Sequence, residues 1–373
     1  MDLRFTDTEE AFRAEARAWL EANVPHDLPS GDTREGFAQH LDWERKLFDD
    51  RWAVVSWPRE YGGREASLIE WLIFEEEYYR AGGPQRVTQN GIFLLAPTVF
   101  EFGTQAQKDH ILPRMAAAED LWCQGWSEPN AGSDLAGIKS VARRDDGGWR
   151  LTGQKTWTTR GAFCTHLFGL FRTDPEAERH RGMTYFLVPL DAEGVTVRGF
   201  GRLDGDEGFA EVFFEDVFVP DTDVLGEVNK GWNVAMATTG SERGLTLRSP
   251  GRFMATAARL VDLWREHPDM ALGDDVVACW MDAEAYRWQT YATVAGLMEG
   301  AKPGAESSLT KLFWSELDVR LHETALQLLG PEAEIEGPWL KGYQFALAGP
   351  IYAGTNEIQR NVVGERVLGL PRG

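Results

Sequence analysis

The stretch Gln124-Gly125-Trp126-Ser127-Glu128-Pro129-Asn130-Ala131-Gly132-Ser133-Asp134 divides the sequence into regions of different character. Its Pro-Asn-Ala-Gly-Ser run is turn chemistry that exposes backbone N–H groups beside a hydroxyl, a combination suited to a pyrophosphate. Before it, Thr6 to about Ala118 reads as helical. Thr6-x-x-Glu9 is a capping-box pattern, followed by Phe12, Ala16, Trp19 and Leu20 on one face until Pro25 ends the helix. Further helices are predicted around 34–50 and 67–81, with another ending before Pro113. Trp57-Pro58-Arg59-Glu60-Tyr61-Gly62-Gly63 reads as a turn between them.

After Leu121 the pattern becomes β. Residues 141–144 and 149–158 read as strands joined by the hairpin turn Asp145-Asp146-Gly147-Gly148, and 166–172, 183–189, 195–200 and 211–220 continue the alternation. Helical periodicity returns from about Lys230, over 232–248, 251–266, 274–299 and 307–329, as a bundle requires. Ser249-Pro250-Gly251 is expected to kink or interrupt the first of these helices.

A chain of 373 residues, 43% hydrophobic, is long enough for two or three sub-domains. The N-terminus has no basic region followed by an apolar run, and no window approaches the ~18 apolar residues of a membrane span. Membrane insertion is therefore not expected, and the cytoplasm is the expected location. Cys123, Cys164 and Cys279 are widely spaced, which predicts buried, reduced thiols rather than disulfides or a metal site. The net charge of -21 argues against a nucleic-acid partner. It also requires any site for an anionic cofactor to be locally rich in Arg, N–H groups or helix N-termini. GxGxxG, GxxxxGK, HExxH and GxSxG signatures are absent, and the histidines do not cluster, which excludes a Rossmann dehydrogenase, a kinase, a zincin, a serine hydrolase and a bound metal.

The opening stretch, then Gly153-Gln154-Lys155-Thr156-Trp157-Thr158-Thr159, then Ile351-Tyr352-Ala353-Gly354-Thr355-Asn356-Glu357-Ile358-Gln359-Arg360 resemble, in order, motifs of the acyl-CoA dehydrogenase family. The resemblance runs from Trp57-Pro58 through Gly231-Trp232-Asn233-Val234 to Leu368-Gly369-Leu370-Pro371. It implies a mainly α fold with a central β-domain: an N-terminal helical domain (1–120), a middle β-barrel or sandwich (121–228) and a C-terminal four-helix bundle (229–373). It also implies FAD. By resemblance, Trp126 and Ser127 approach the isoalloxazine ring, while Gly132 and Ser133 approach the pyrophosphate. Trp157 packs beside the ring, and Thr159 bonds near its N5 edge. Taken singly, Trp126 and Trp157 would read as core aromatics; their order together favours the flavin. Gly354, Thr355 and Glu357 stand at a helix start, where a flavin phosphate is favoured. Gln327 matches a residue reaching the flavin of a neighbouring subunit. Glu357 and Gln327 also fit a solvated helix face.

The family's reaction removes an α-proton from an acyl thioester while a hydride leaves the β-carbon. Many members carry the base as a glutamate between the Tyr and the Gly, and here that position is Ala353. An alanine keeps only its backbone N–H, which in the family polarises the thioester oxygen. In isovaleryl- and long-chain-type members the base sits on another helix, immediately before an Arg. That position aligns with Glu242, followed by Arg243. On a helix, Glu242 has Thr238, Thr239, Leu245 and Thr246 as neighbours and no cation one turn away, which predicts a raised pKa. Thr239, Arg243 and Tyr352 are the expected substrate contacts. The small Thr238, Thr239 and Gly240 fit a roomy acyl pocket or tight helix packing equally.

The Arg-x-x-Phe-Gly segment with which homotetrameric members bind a partner's flavin is absent. The corresponding region offers Arg265-Glu266-His267-Pro268, then an acidic stretch. This resembles bacterial members working as heteromers, so the partner is a second acyl-CoA dehydrogenase-like subunit or another copy of the chain. The expected activity is FAD-dependent dehydrogenation of an acyl-CoA or carrier-protein thioester, with electrons passing to an electron-transfer flavoprotein. Its rivals are a flavin oxidase or monooxygenase of the same fold and a non-catalytic subunit.

Overall fold

The computed structural model describes residues 4–243, 249–301 and 304–371, without the side chains of 241–243. Helix α1 (Asp7–Asn23) opens on the anticipated capping box: Thr6 Oγ1 accepts from the Glu9 N–H, and Glu9 Oε2 accepts from the Thr6 N–H at 2.7 Å. Thr33 caps α2 (Arg34–Asp49), and a second capping box, Ser67 with Glu70, opens α3 (Leu68–Arg80). A π-helical turn at Asn90–Leu95, not foreseen from sequence, leads into α4 (Ala96–Phe102). Helix α5 (Gln105–Ala116) corrects the expectation that a helix ends before Pro113, because the proline lies inside it. Proline removes one helical bond, to the carbonyl of Asp109, and Asp109 is an exposed residue.

The strands are β1 (Trp122–Gly125), β2 (Val141–Asp145), β3 (Gly148–Thr159), β4 (His166–Arg172), β5 (Met183–Pro189), β6 (Val195–Phe200), β7 (Phe209–Pro220) and β8 (Val224–Leu225). They form one sheet in the order β6-β7-β3-β2-β4-β5-β8, with β1 parallel to β4. The β2–β3 hairpin closes where predicted, with Gly147 at φ +69°. The short β1 and β8 escaped the sequence reading. The remaining helices are α6 (Gly231–Arg243), α7 (Pro250–Glu266), α8 (Gly273–Met298), α9 (Ser307–Leu329), α10 (Pro338–Ala346) and α11 (Asn356–Val362). Ser249 is extended and Pro250 occupies the first turn of α7, so α7 is a helix separate from α6.

The chain forms two compact units. A helical unit comprises Met1–His26, Glu65–Pro84 and Arg243–Gly373; a sheet unit comprises Asp27–Arg64 and Gln85–Glu242. In the helical unit, Phe253, Ala257 and Leu260 of α7, Val276, Cys279 and Ala283 of α8, and Trp314, Leu317, Leu321 and Ala325 of α9 pack at spacings of three and four. Beside that core, Glu77 is ringed by Arg13, Arg17 and Arg80, with Arg17 Nη2 at 2.7 Å. In the sheet unit, Leu151, Phe171, Phe186, Val188, Val212 and Phe214 fill the interior. Cys123 and Cys279 are buried free thiols, but Cys164 is only half-buried, because it follows the turn after β3 rather than lying in a strand.

Candidate active site

In the sheet unit, Trp126–Ser133 folds into a tight turn in which Glu128 and Ala131 exchange backbone hydrogen bonds at 3.0 Å. Gly132 and Ser133 are exposed at its tip, and a Cβ built at Gly132 would meet nothing within 4 Å. That leaves the backbone open to close approach by a phosphate. Ser127 is half-buried, and its carbonyl accepts from the Thr156 N–H at 2.9 Å, joining the turn to β3. Trp126 is buried edge-on to Tyr185, and its indole Nε1 has no acceptor among the described residues. A buried donor left without a partner invites a ligand acceptor.

The β3–β7 ladder is broken by a register shift between Lys155 and Thr158, a bulge that gives Trp157 φ +57°. A bulky non-glycine residue in the left-handed region is strained by ~1–3 kcal/mol. The bulge turns Trp157 outward, leaving it 61% exposed with Phe200 and Phe209 edge-on against it. A strained backbone that leaves an apolar ring exposed sets Trp157 apart from the core aromatics. Thr159 is half-buried opposite Phe209, and the next residue, Arg160, anchors the strand end through Asp32 at 2.6 Å.

Thr238 settles one open alternative. It is fully buried on α6, 2.9 Å from the Thr98 hydroxyl and 3.4 Å from the Tyr185 hydroxyl, so it packs the helix. Thr239 is buried and bonds back to the Met236 carbonyl, whereas a Cβ at Gly240 would meet nothing within 4 Å among the described residues. The backbones of Glu242 and Arg243 occupy the last turn of α6, while their side chains lie outside the described residues.

In the helical unit, Tyr352 stacks on Trp314 at 5.8 Å. Ala353 at φ +56° and Gly354 at φ +79° are consecutive left-handed residues. Ala353 thereby carries about 1–2 kcal/mol of strain that a glycine would lack. No backbone oxygen among the described residues accepts from its N–H. Its carbonyl, by contrast, is held by the fully buried Gln359, whose Nε2 donates to Ala353 O at 2.9 Å and more weakly to Gly354 O. Thr355 caps α11 by accepting from the Ile358 N–H. Glu357 is exposed in the first turn, its carboxyl held below the usual range by its own backbone N–H and the Thr355 hydroxyl. Asn356 ties α11 to α9: its Oδ1 accepts from Lys311 Nζ at 2.6 Å and from Ser315 Oγ at 3.1 Å. Gln327 is exposed near the C-terminal end of α9. Where the flavin-binding Arg is missing, Arg265 is exposed and paired with Asp262.

Trp126, Ser127, Gly132, Ser133, Trp157, Thr159 and Thr239 thus belong to the sheet unit, and Gln327, Tyr352, Ala353, Gly354, Thr355 and Glu357 to the helical unit. Asn356, Gln359 and Lys311 escaped the sequence reading. Asn356 and Gln359 sit three apart inside a recognised motif, the one signal that they share an inward helical face.

Three family models match the chain: acyl-CoA dehydrogenase N-terminal domain over residues 6–119, middle domain over 123–217 and C-terminal domain over 229–368. The chain is 37% identical to acyl-CoA dehydrogenase IpdE1 of Mycobacterium tuberculosis, over 98% of each chain. Among solved structures it is similar to the Tcur3481-Tcur3483 steroid ACAD, with a TM-score of 0.89 and 27% identity over all of both chains. It is also similar to the ChsE4-ChsE5 complex from Mycobacterium tuberculosis, with a TM-score of 0.85 and 28% identity over all of both chains.

Proposed function

The chain belongs to the acyl-CoA dehydrogenase family of FAD-dependent oxidoreductases, and we propose that it oxidises a bulky acyl thioester with Glu242 as base. The residues present fit the flavin. The open turn at Gly132 and Ser133 would take the pyrophosphate, while the exposed Trp157 with Ser127, Thr159 and Trp126 would hold the ring. Gly354, Thr355 and Glu357 at the start of α11, with Gln327 toward a neighbouring subunit, complete the proposed set. FAD, when bound, supplies the acceptor for the β-hydride.

Glu242 removes the α-proton from the last turn of α6. The Ala353 N–H donates to the thioester oxygen and holds the negative charge that develops there. Tyr352 and Thr239 border the acyl group, and Arg243 contacts it from the residue after the base. The observation that carries this reading is the Ala353 turn. It is kept in a strained left-handed conformation, with its carbonyl anchored and its N–H given to no backbone oxygen among the described residues, although the residue has no side-chain chemistry of its own.

A steroid-like acyl group is supported by the names of similar solved structures. A carrier-protein thioester is the alternative form of the substrate. Two observations support a working partner in the form of a second, acyl-CoA dehydrogenase-like subunit. The flavin-binding Arg is missing, and α8 exposes Val277, Trp280, Met281 and Trp288. The proposed electron acceptor is an electron-transfer flavoprotein.

The test is anaerobic addition of acyl-CoA substrates to the purified assembly while following the visible flavin band. Bleaching that disappears in Glu242→Gln, by about 10²–10⁴-fold in rate, is expected. No bleaching by any acyl thioester, with fast reoxidation of chemically reduced protein by O₂, would make it an oxidase instead.

A further inference from the structure

Lys155 is fully buried in the sheet unit, an unusual place for an ammonium group. Its Nζ lies 2.8 Å from Glu128 Oε1, 3.5 Å from the Trp126 carbonyl and 4.8 Å from the centre of the Phe171 ring. Glu128, itself buried, accepts from the Lys139 N–H at 2.6 Å and the Ser140 N–H at 2.9 Å, just ahead of β2. One ion pair therefore joins the Trp126–Ser133 turn, the start of β2 and the interior of β3. Lys155 is also the residue at which the β3–β7 register breaks, and the strained Trp157 follows two residues later.

A buried ion pair adds little stability over an apolar pair of similar volume, so stability alone is a poor reason for one here. A directional pair does fix orientation. We infer that Lys155 and Glu128 are positioning residues for the cofactor: their ion pair locks the turn carrying Ser127, Gly132 and Ser133 to the bulge that presents Trp157, so that both meet the flavin in one fixed geometry. The inference rests on the flavin reading given above. Neither residue touches the cofactor; each acts through the backbone it holds. Glu128 sets the 128–131 turn, and Lys155 sets the strand segment whose next N–H, that of Thr156, bonds the Ser127 carbonyl.

The test uses the full chain in its native assembly, stripped of flavin and titrated with FAD. Readouts are thermal midpoint without flavin, FAD affinity by flavin fluorescence, and visible circular dichroism of the bound flavin. Lys155→Met alone strands a buried carboxylate and lowers the thermal midpoint. The double variant Glu128→Gln with Lys155→Met removes both charges at similar volume and leaves one amide oxygen to accept from one of the Lys139 and Ser140 N–H groups. It is expected to recover part of the thermal midpoint lost in Lys155→Met alone, yet to bind FAD at least about tenfold more weakly and with an altered flavin circular dichroism. A folded double variant with native FAD affinity and an unchanged spectrum would overturn the inference. So would failure of every variant to fold, which would make the pair a folding requirement. If the unsubstituted assembly takes up no FAD, the flavin reading itself fails, an outcome separate from both.

Discussion

Gln359→Leu separates the two tasks of the Ala353 turn, holding the fold and aiming one N–H. The substitution removes the 2.9 Å bond to the Ala353 carbonyl and the weaker one to Gly354. A buried carbonyl stripped of its donor costs about 1–3 kcal/mol. The same substitution also deletes Gln359 Oε1, a buried acceptor without a partner among the described residues, and so relieves a penalty of similar kind. The net loss of stability should be only about 1 kcal/mol, a fall of roughly 2–4 °C in thermal midpoint. Catalysis has no such offset. With its carbonyl released, Ala353 can relax from its left-handed conformation, and the change in φ reorients the Tyr352–Ala353 peptide so that the Ala353 N–H leaves the line to the thioester oxygen. Loss of one such donor is worth about 10²–10³ in rate. Stopped-flow reduction of the bound flavin by acyl-CoA, beside a thermal melt of the same preparation, measures both. A variant that melts a few degrees lower but reduces its flavin within about tenfold of the native rate would refute the reasoning, because the Ala353 N–H would then not be the oxygen-holding donor.

Ala353→Gly keeps the N–H and accepts φ +56° without a Cβ, so its flavin reduction rate should match the native rate and its thermal midpoint should not fall; a large rate loss would show that the methyl group matters. A second prediction concerns acid. Burial alone would raise the Glu77 pKa, but hydrogen bonds and charge from Arg17, Arg80 and Arg13 outweigh it and hold the carboxyl at about 2. A depressed carboxylate contributes stability above its unfolded pKa and loses it as pH falls through its folded one. The helical unit should therefore lose up to about 3 kcal/mol between roughly pH 4.5 and pH 2, less as solvent screens the half-exposed Arg17 and Arg80. Denaturant titrations across that window should show the slope in the native chain and a flattened one in Glu77→Gln. An unchanged slope would mean that other carboxylates govern acid unfolding.

Much of the fold was legible because its signals are local. The capping box at Thr6, the helix beginning at Ser67, the Asp146-Gly147 hairpin and the break at Pro250 each depend on a few neighbouring residues, and the structure places them where the sequence predicts. The misses are elements stabilised from outside. β1 exists because β4 pairs with it, β8 because β5 does, and α5 runs through Pro113 because a helix can lose one bond there and continue. Family membership was equally legible, since it rests on contiguous motifs.

The amino-acid order by itself determined the helix–sheet–helix organisation, the flavin and acyl-CoA dehydrogenase character, and the absence of a carboxylate at Ala353. The tertiary structure decided what holds those motifs in shape. Lys155 meets Glu128 across 27 residues, Lys311 meets Asn356 across 45, and the strain at Trp157 and Ala353 appears only in the folded backbone. The reason is physical: periodicity and turn chemistry are written in neighbouring residues, but a buried charge finds its partner, and a strained residue its support, only when distant segments are brought within hydrogen-bond range.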